Sequence, residues 1–230
     1  MSASEGCEGQ GMVLGYWAIR GLAQPIRLLL EYTGEKYKDE RYECGDAPSF
    51  DRSCWMDKKY SFGLDFPNLP YLLDGEVKLT QSNAIMRYIA RKHNMTGDGV
   101  LEAVADMFAD QLMDLRNVFV SVAYTSADRY ESAHRVAETE RLPGMLQPLA
   151  TFMGKYEGPW VLGDKLSYCD FLLYELLDQL RLMFPTLFES HVDVFSKFLA
   201  DVEALPAIAA YMKREDFIVR PINNKMASFF

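Results

Sequence analysis

Leu64-Asp65-Phe66-Pro67-Asn68-Leu69-Pro70-Tyr71-Leu72-Leu73-Asp74-Gly75-Glu76-Val77-Lys78-Leu79-Thr80-Gln81-Ser82-Asn83 is the stretch whose reading decides the fold. Asp74-Gly75 parts two short apolar runs, and Asp-Gly is a strong hairpin signal because both positions tolerate positive φ. Ala84-Ile85-Met86-Arg87-Tyr88-Ile89-Ala90 follows with helical spacing. Ser82 or Thr80 is the expected N-cap, its hydroxyl satisfying an orphan amide of the first turn. A helix start facing the end of a hairpin strand gathers backbone N–H groups and a partial positive charge, which suits a carboxylate or a phosphate. On spacing alone the stretch is a hairpin followed by a helix, and most capped helices bind nothing.

Upstream, Met12-Val13-Leu14-Gly15-Tyr16-Trp17 reads as a short buried strand. Ile26-Arg27-Leu28-Leu29-Leu30-Glu31-Tyr32 is helical in spacing, with Pro25 suited to the first turn and an end near Gly34. Residues 37–42 alternate weakly as a second strand, 45–53 carry loop chemistry, and 55–60 read as a short helical segment. Strand, helix, strand, loop, hairpin, helix within about eighty residues predicts a mixed sheet with one parallel βαβ pair and one antiparallel hairpin. That order is the thioredoxin-like α+β arrangement. Its redox CxxC is missing, so dithiol–disulfide chemistry is not expected.

Beyond a polar, Gly-containing linker at 94–99 the pattern becomes all-helical. Leu101, Val104, Phe108, Leu112, Leu115 and Phe119 keep the three-and-four spacing of one buried face. Residues 130–152 form a second helical candidate, bent or interrupted by Pro143 and Pro148. Residues 154–163 read as a loop. Ser167-Tyr168-Cys169-Asp170 is a variant capping box with Asp170 in the Glu/Gln role, a structural duty. Pro185 ends that helix, and 192–202 and 206–212 supply shorter ones. The expected organisation is a flexible extension over 1–11, a thioredoxin-like domain over 12–93, a linker, and an all-α domain over 100–230.

A chain of 230 residues can bury a real core in one large domain or two modest ones. Its formal net charge of −9 argues against general nucleic-acid or anionic-membrane binding. No apolar run reaches the ~20 residues of a membrane helix, and the first twelve residues lack a signal-peptide core. Cys7, Cys44, Cys54 and Cys169 show neither CxxC nor metal-ligand spacing, and His93, His134 and His191 are too scattered to suggest a metal. Unpaired thiols fit a reducing compartment, so the cytosol is expected.

Asp65-Phe66-Pro67-Asn68-Leu69-Pro70-Tyr71 and Gln81-Ser82-Asn83-Ala84-Ile85 resemble the glutathione-binding segment of the mu-class glutathione transferases, and Gly15-Tyr16-Trp17 with Ile19-Arg20-Gly21-Leu22-Ala23 resembles their opening. The likeness runs almost unbroken from Val13 to Asn94. It continues more thinly through Leu142-Pro143, Gly163, Ser167-Tyr168-Cys169-Asp170-Phe171, Ala210-Tyr211-Met212-Lys213 and Lys225-Met226-Ala227. The resemblance implies a cytosolic homodimer that attacks hydrophobic electrophiles with the thiol of glutathione, a co-substrate, and needs no prosthetic group. It implies Tyr16 as the catalytic residue and Trp17 and Leu22 beside the thiol. Gln81 and Ser82 would take the γ-glutamyl carboxylate; Asn68, Trp55 and Lys59, with Arg52 alongside, would hold the glycyl end or the backbone. Leu69 would pair its main chain with the cysteinyl part, before a cis bond to Pro70. Asp114, aligned across a one-residue gap near Asp98-Gly99, would reach the ammonium from the partner subunit. Tyr124, Asn224 and Phe229 would border the electrophile. Phe66 would anchor the dimer, the alternative being a loop Phe folded into its own subunit.

The chemistry behind that assignment stands without the family. A thiolate is the nucleophile, and a free thiol with pKa about 8.5 is only a few per cent ionised near neutrality. A phenol is a poor base there but a good donor, and a donor aimed at sulfur favours the anion. Lowering a thiol pKa by about two units corresponds to roughly 2.7 kcal/mol, of which one hydrogen bond to an anion, about 1.5–3 kcal/mol, supplies most. A non-catalytic carrier of apolar ligands on the same fold is the alternative; such proteins usually lose the thiol-activating residue, and Tyr16 is present. A peroxidase or isomerase emphasis would use the same thiolate.

Overall fold

The computed structural model describes residues 11–229. The extension expected over 1–11 therefore lies, apart from Gly11, outside the described residues. The first part runs β1 (Met12–Trp17), α1 (Gln24–Thr33), β2 (Tyr37–Tyr42), α2 (Ser53–Met56), β3 (Tyr71–Asp74), β4 (Val77–Thr80) and α3 (Ser82–Lys92). The strands lie in the order β2-β1-β3-β4. β1 is parallel to β2, with Met12 opposite Tyr37 and Trp17 opposite Tyr42, and antiparallel to β3. The mixed sheet thus has the expected parallel βαβ pair and antiparallel hairpin.

Local chemistry fixes most of these elements. Pro25 sits in the first turn of α1, where its missing N–H costs nothing, and the helix stops at Gly34. Arg27, on the buried side of α1, is wholly enclosed; its Nε reaches Asp39 Oδ2 at 2.8 Å and its Nη1 the Ile19 carbonyl at 2.9 Å. A helix, a strand and the loop after β1 are thereby tied at one point. The hairpin differs from the expected turn by one residue. Asp74 pairs with Val77 inside the ladder, leaving Gly75-Glu76 as the turn. Gly75 has φ +60 while Glu76 stays in the ordinary region, the pattern of a type II′ turn led by glycine.

Two further expectations are corrected. The short helix after the 45–52 loop is Ser53–Met56, not 55–60. The N-cap of α3 is neither Ser82 nor Thr80 but Gln81, at φ +71, and no side chain caps the helix.

The second part is all-helical: α4 (Val100–Ala123), α5 (Ala127–Val136), α6 (Pro143–Met153), α7 (Tyr168–Met183), α8 (Pro185–Glu189), α9 (Val192–Glu203) and α10 (Pro206–Tyr211). On α4 the expected stripe buries Phe108, Leu112, Leu115 and Phe119, while Leu101 and Val104 at its start are only half-buried. The helix expected over 130–152 is two helices joined by a π turn at Ala137–Arg141. The break comes at Pro143, which opens α6; Pro148 is accommodated inside it. The capping box of α7 is present: Asp170 Oδ2 accepts from Ser167 N–H at 2.8 Å, and Oδ1 accepts from Val161 N–H at 2.8 Å. Burial pushes the Asp170 carboxyl up to about 6 against the pull of those donors.

The two parts share one hydrophobic core. Tyr168 N–H donates to the Met95 carbonyl, so the 94–99 linker is pinned to the start of α7. The chain end returns across the junction. Arg20 and Gly21 N–H groups donate to Pro221 and Ile222 carbonyls, and Ser228 N–H donates to the Ala123 carbonyl. The 221–228 segment therefore spans the loop after β1 and the end of α4. Among the described residues no helix is long and apolar enough to cross a membrane, and no group of three potential metal ligands occurs.

Candidate active site

β1 delivers Tyr16 to its C-terminal end, buried and followed by half-buried Trp17. The chain then bends back over the tyrosine. Leu22 N–H donates to Tyr16 Oη at 3.2 Å. Gly21 has φ +44, and a Cβ there would stand 2.6 Å from both Tyr16 Cε1 and Oη. Glycine is therefore required twice over, by the backbone conformation and by the closeness of the phenol. With one lone pair of Oη engaged by Leu22, the phenolic proton is excluded from that direction and Tyr16 is left to donate on its other side.

The start of α3 forms a second feature. Gln81 is a non-glycine residue at positive φ, a conformation that costs free energy and concentrates at functional sites. Its side chain is exposed, Ser82 opens the helix in a buried position, and the first-turn amides carry no side-chain cap. They are thus suited to an external anion. The Leu69–Pro70 bond is cis. Leu69 N–H donates to Asn68 Oδ1 at 2.9 Å, so a peptide pairing with Leu69 through that amide must first displace Asn68. Trp55 is buried, its ring stacked on Phe62 at 6.0 Å and Tyr71 at 5.9 Å. Arg52 is exposed at the start of α2, and the Lys59 ammonium lies 5.6 Å from the Tyr60 ring centroid.

The helical part contributes the opposite wall. Tyr124 follows α4, 39% exposed, and its Oη accepts from Asn224 N–H at 3.0 Å. Burial raises this phenol above its ordinary value, with the Asn224 amide working against it. Phe229 lies half-buried, its carbonyl bound by Asn223 Nδ2 and its ring 5.4 Å from the Arg220 guanidinium. Asp114 is exposed on α4. Phe66 is 76% exposed, so it is not folded into its own chain.

A cavity of about 30 Å³ at the junction brings Leu22 and Ser82 together with Gly21, Met113, Arg116 and Glu175. Arg116 is the residue that the sequence reading missed. Its Nε is buried and has no hydrogen-bond partner among the described residues. Burial lowers its guanidinium, opposed by nearby Tyr16, Glu175 and Tyr124. A signal for it existed. Arg116 falls four residues after Leu112 and three before Phe119, so a cation interrupts the apolar stripe of α4. Buried charges are rare unless paired or functional.

Comparison with known proteins bears on the family and the fold. The glutathione S-transferase N-terminal domain profile matches residues 12–91, and the glutathione S-transferase C-terminal domain profile matches residues 113–215. Human glutathione S-transferase Mu 3 is 48% identical over 224 residues, covering 97% of this chain and 96% of that protein. Mouse glutathione S-transferase Mu 5 is 47% identical over 221 residues, 96% of each chain. Among solved structures, the pi-class glutathione S-transferase of Onchocerca volvulus superposes with TM-score 0.82 at 29% identity, over 95% of this chain and 100% of that one.

Proposed function

Because the chain belongs to the mu class of the glutathione S-transferase family and conjugates glutathione to electrophiles as an enzyme of that class, we propose how its own residues divide that work. Tyr16 donates its phenolic proton in a hydrogen bond to the sulfur of bound glutathione and holds it as the thiolate. The single observation that carries this is the Leu22 N–H on Tyr16 Oη, which leaves the phenol a directed donor at the end of β1. Gln81, Ser82 and the uncapped amides of α3 take the γ-glutamyl carboxylate. The main chain at Leu69, beside Pro70, pairs with the cysteinyl part. Asn68, Trp55 and Lys59 hold the glycyl end or the backbone, with Arg52 alongside. Trp17 and Leu22 flank the sulfur.

The electrophile enters between Leu22, Arg116, Tyr124 and the 224–229 tail, with Asn224 and Phe229 shaping the wall. The protein works as a cytosolic homodimer, Phe66 anchoring each subunit to the other and Asp114 of the partner subunit reaching the glutathione ammonium. Glutathione is a co-substrate, and the chemistry assigned to these residues calls for no prosthetic group. Tyr16→Phe tests the assignment. It should keep glutathione affinity while losing most turnover on an aryl halide and the far-ultraviolet thiolate absorbance; unchanged turnover would remove Tyr16 from the role.

A further inference from the structure

Three consecutive amides after β1 each have an assigned acceptor. Arg20 N–H goes to the Pro221 carbonyl at 3.0 Å, Gly21 N–H to the Ile222 carbonyl at 3.0 Å, and Leu22 N–H to Tyr16 Oη at 3.2 Å. The Arg20 side chain anchors the same loop from the other side. It is 4% exposed, and its guanidinium grips Glu175 on α7 through Nε to Oε1 at 3.1 Å and Nη2 to Oε2 at 2.7 Å. Nη2 also lies 2.5 Å from Asp178 Oδ2. Gln179 Nε2 donates to Glu175 Oε1, and Arg181 pairs with the far oxygen of Asp178, so both carboxylates have further partners.

Such a cluster is a poor way to gain stability, since the cost of desolvating each ion roughly offsets the gain from pairing. What it does supply is geometry. A bidentate guanidinium fixes position and angle together, and here it fixes the residue whose next neighbour packs on the phenol and whose second neighbour bonds its oxygen.

We propose that Arg20, clamped by Glu175 and Asp178, is a positioning residue for the Tyr16 hydroxyl, so that the helical part of the chain sets the direction of the thiol-activating hydrogen bond. The proposal rests on the assignment of Tyr16 above. Accepting the Leu22 amide polarises the O–H and excludes one direction for its proton. If the clamp slackens, the Leu22 amide drifts, the phenol rotates, and the hydrogen bond to sulfur lengthens. The charged and titratable groups near Tyr16 include Arg116 on α4 and Tyr124 just after it, with Cys44 near Tyr124 and Glu175 and Asp178 on α7 behind Arg20.

Arg20→Lys keeps the charge and removes the fork; Glu175→Gln keeps the shape and leaves Asp178 to hold Arg20. The pKa of enzyme-bound glutathione is read for each from thiolate absorbance against pH, with kcat/KM over the same range. Both variants should raise the bound thiol pKa. A rise of about one unit, from about 6.5 to about 7.5, lowers the thiolate fraction and with it kcat/KM at pH 7 roughly threefold, approaching tenfold below about pH 6, while at alkaline pH the rates converge on wild type and glutathione affinity stays unchanged. Through-space electrostatics predicts the opposite sign for Glu175→Gln, because deleting a nearby negative charge favours the thiolate. A lowered pKa in that variant overturns the proposal. So does an unshifted pKa in both variants, even with a fallen melting temperature, which would leave a purely structural clamp. Within a Tyr16→Phe background, Arg20→Lys should add no further shift; an additive shift also overturns it. Should Tyr16→Phe itself leave the thiol pKa at the wild-type value, the Tyr16 assignment fails first. Should only the clamp variants be silent, the positioning claim alone falls.

Discussion

Gly21→Ala places one methyl group where the structure has no room for it. The new Cβ would stand 2.6 Å from Tyr16 Oη and Cε1 and 3.0 Å from Cζ, on a backbone at φ +44. Neither strain can relax alone, because Gly21 N–H is held by the Ile222 carbonyl and Arg20 by α7. The left-handed backbone costs a side-chain-bearing residue about 1–2 kcal/mol, which appears as lost stability. The phenol must move by most of an ångström, and that appears as lost chemistry. If the hydrogen bond to sulfur is forfeited, about 1.5–3 kcal/mol of thiolate stabilisation goes with it, which raises the thiol pKa by about one to two units and lowers kcat/KM at pH 7 roughly four- to fortyfold. The assay is kcat/KM on an aryl halide across pH, beside the bound thiol pKa and a urea unfolding curve. The deficit should shrink at alkaline pH, where the thiol ionises unaided. A folded Gly21→Ala enzyme with wild-type thiol pKa and turnover would refute the reasoning, since it would show that the phenol position is immaterial.

Other predictions concern the scaffold. Asp170→Ala leaves the buried amides of Ser167 and Val161 without their acceptor and removes the cap of α7; stability should fall by about 2–4 kcal/mol, and an unchanged urea midpoint would contradict the structural role. The Arg87–Asp106 pair carries a pH signature: burial pushes the Asp106 carboxyl up, but hydrogen bonds from Tyr168 and Arg87 and the Arg87 charge outweigh it and hold it below its ordinary value. With the folded value below the unfolded one of about 3.9, the unfolded chain takes the proton first. The stability difference between wild type and Arg87→Met should hence be constant above about pH 5 and shrink as pH falls through the folded value; a difference that grows on acidification would reverse the sign and refute it. Phe66→Ser removes an exposed ring that the chain itself leaves uncovered; sedimentation should show a weakened dimer, and association as tight as wild type would deny Phe66 its anchoring role.

Where local chemistry decides, the sequence was legible to the residue. β1 and β2 coincide with the strands read from Met12–Trp17 and Tyr37–Tyr42, and the α7 capping box is present as expected. Legibility failed where a tertiary demand overrides a local preference. Ser82 has the chemistry of an N-cap, yet the chain places Gln81 there in a costly conformation and keeps the first-turn amides uncapped. The hairpin turn slid by one residue because Asp74 is drawn into the ladder, where Tyr88 and Lys92 bind its carboxylate at 2.7 and 2.9 Å. The interruption expected within 130–152 is present at Pro143, whereas the π turn before it and the accommodation of Pro148 inside α6 were not legible. Of the site, Tyr16, Gln81 and Ser82 came through motif resemblance, not through periodicity. Arg20 and Glu175 stayed hidden because their partnership spans 155 residues and no local pattern records it. Arg116 could have been found as a charge on an apolar stripe.

The most direct test of the account is a crystal structure of the enzyme with bound glutathione, read at one contact. The sulfur should lie within hydrogen-bonding distance of Tyr16 Oη, on the side away from the Leu22 amide, with the γ-glutamyl carboxylate at the start of α3. A sulfur turned away from Tyr16 while the carboxylate sits at Gln81 and Ser82 would contradict it, and thiol activation would then have to come from another group.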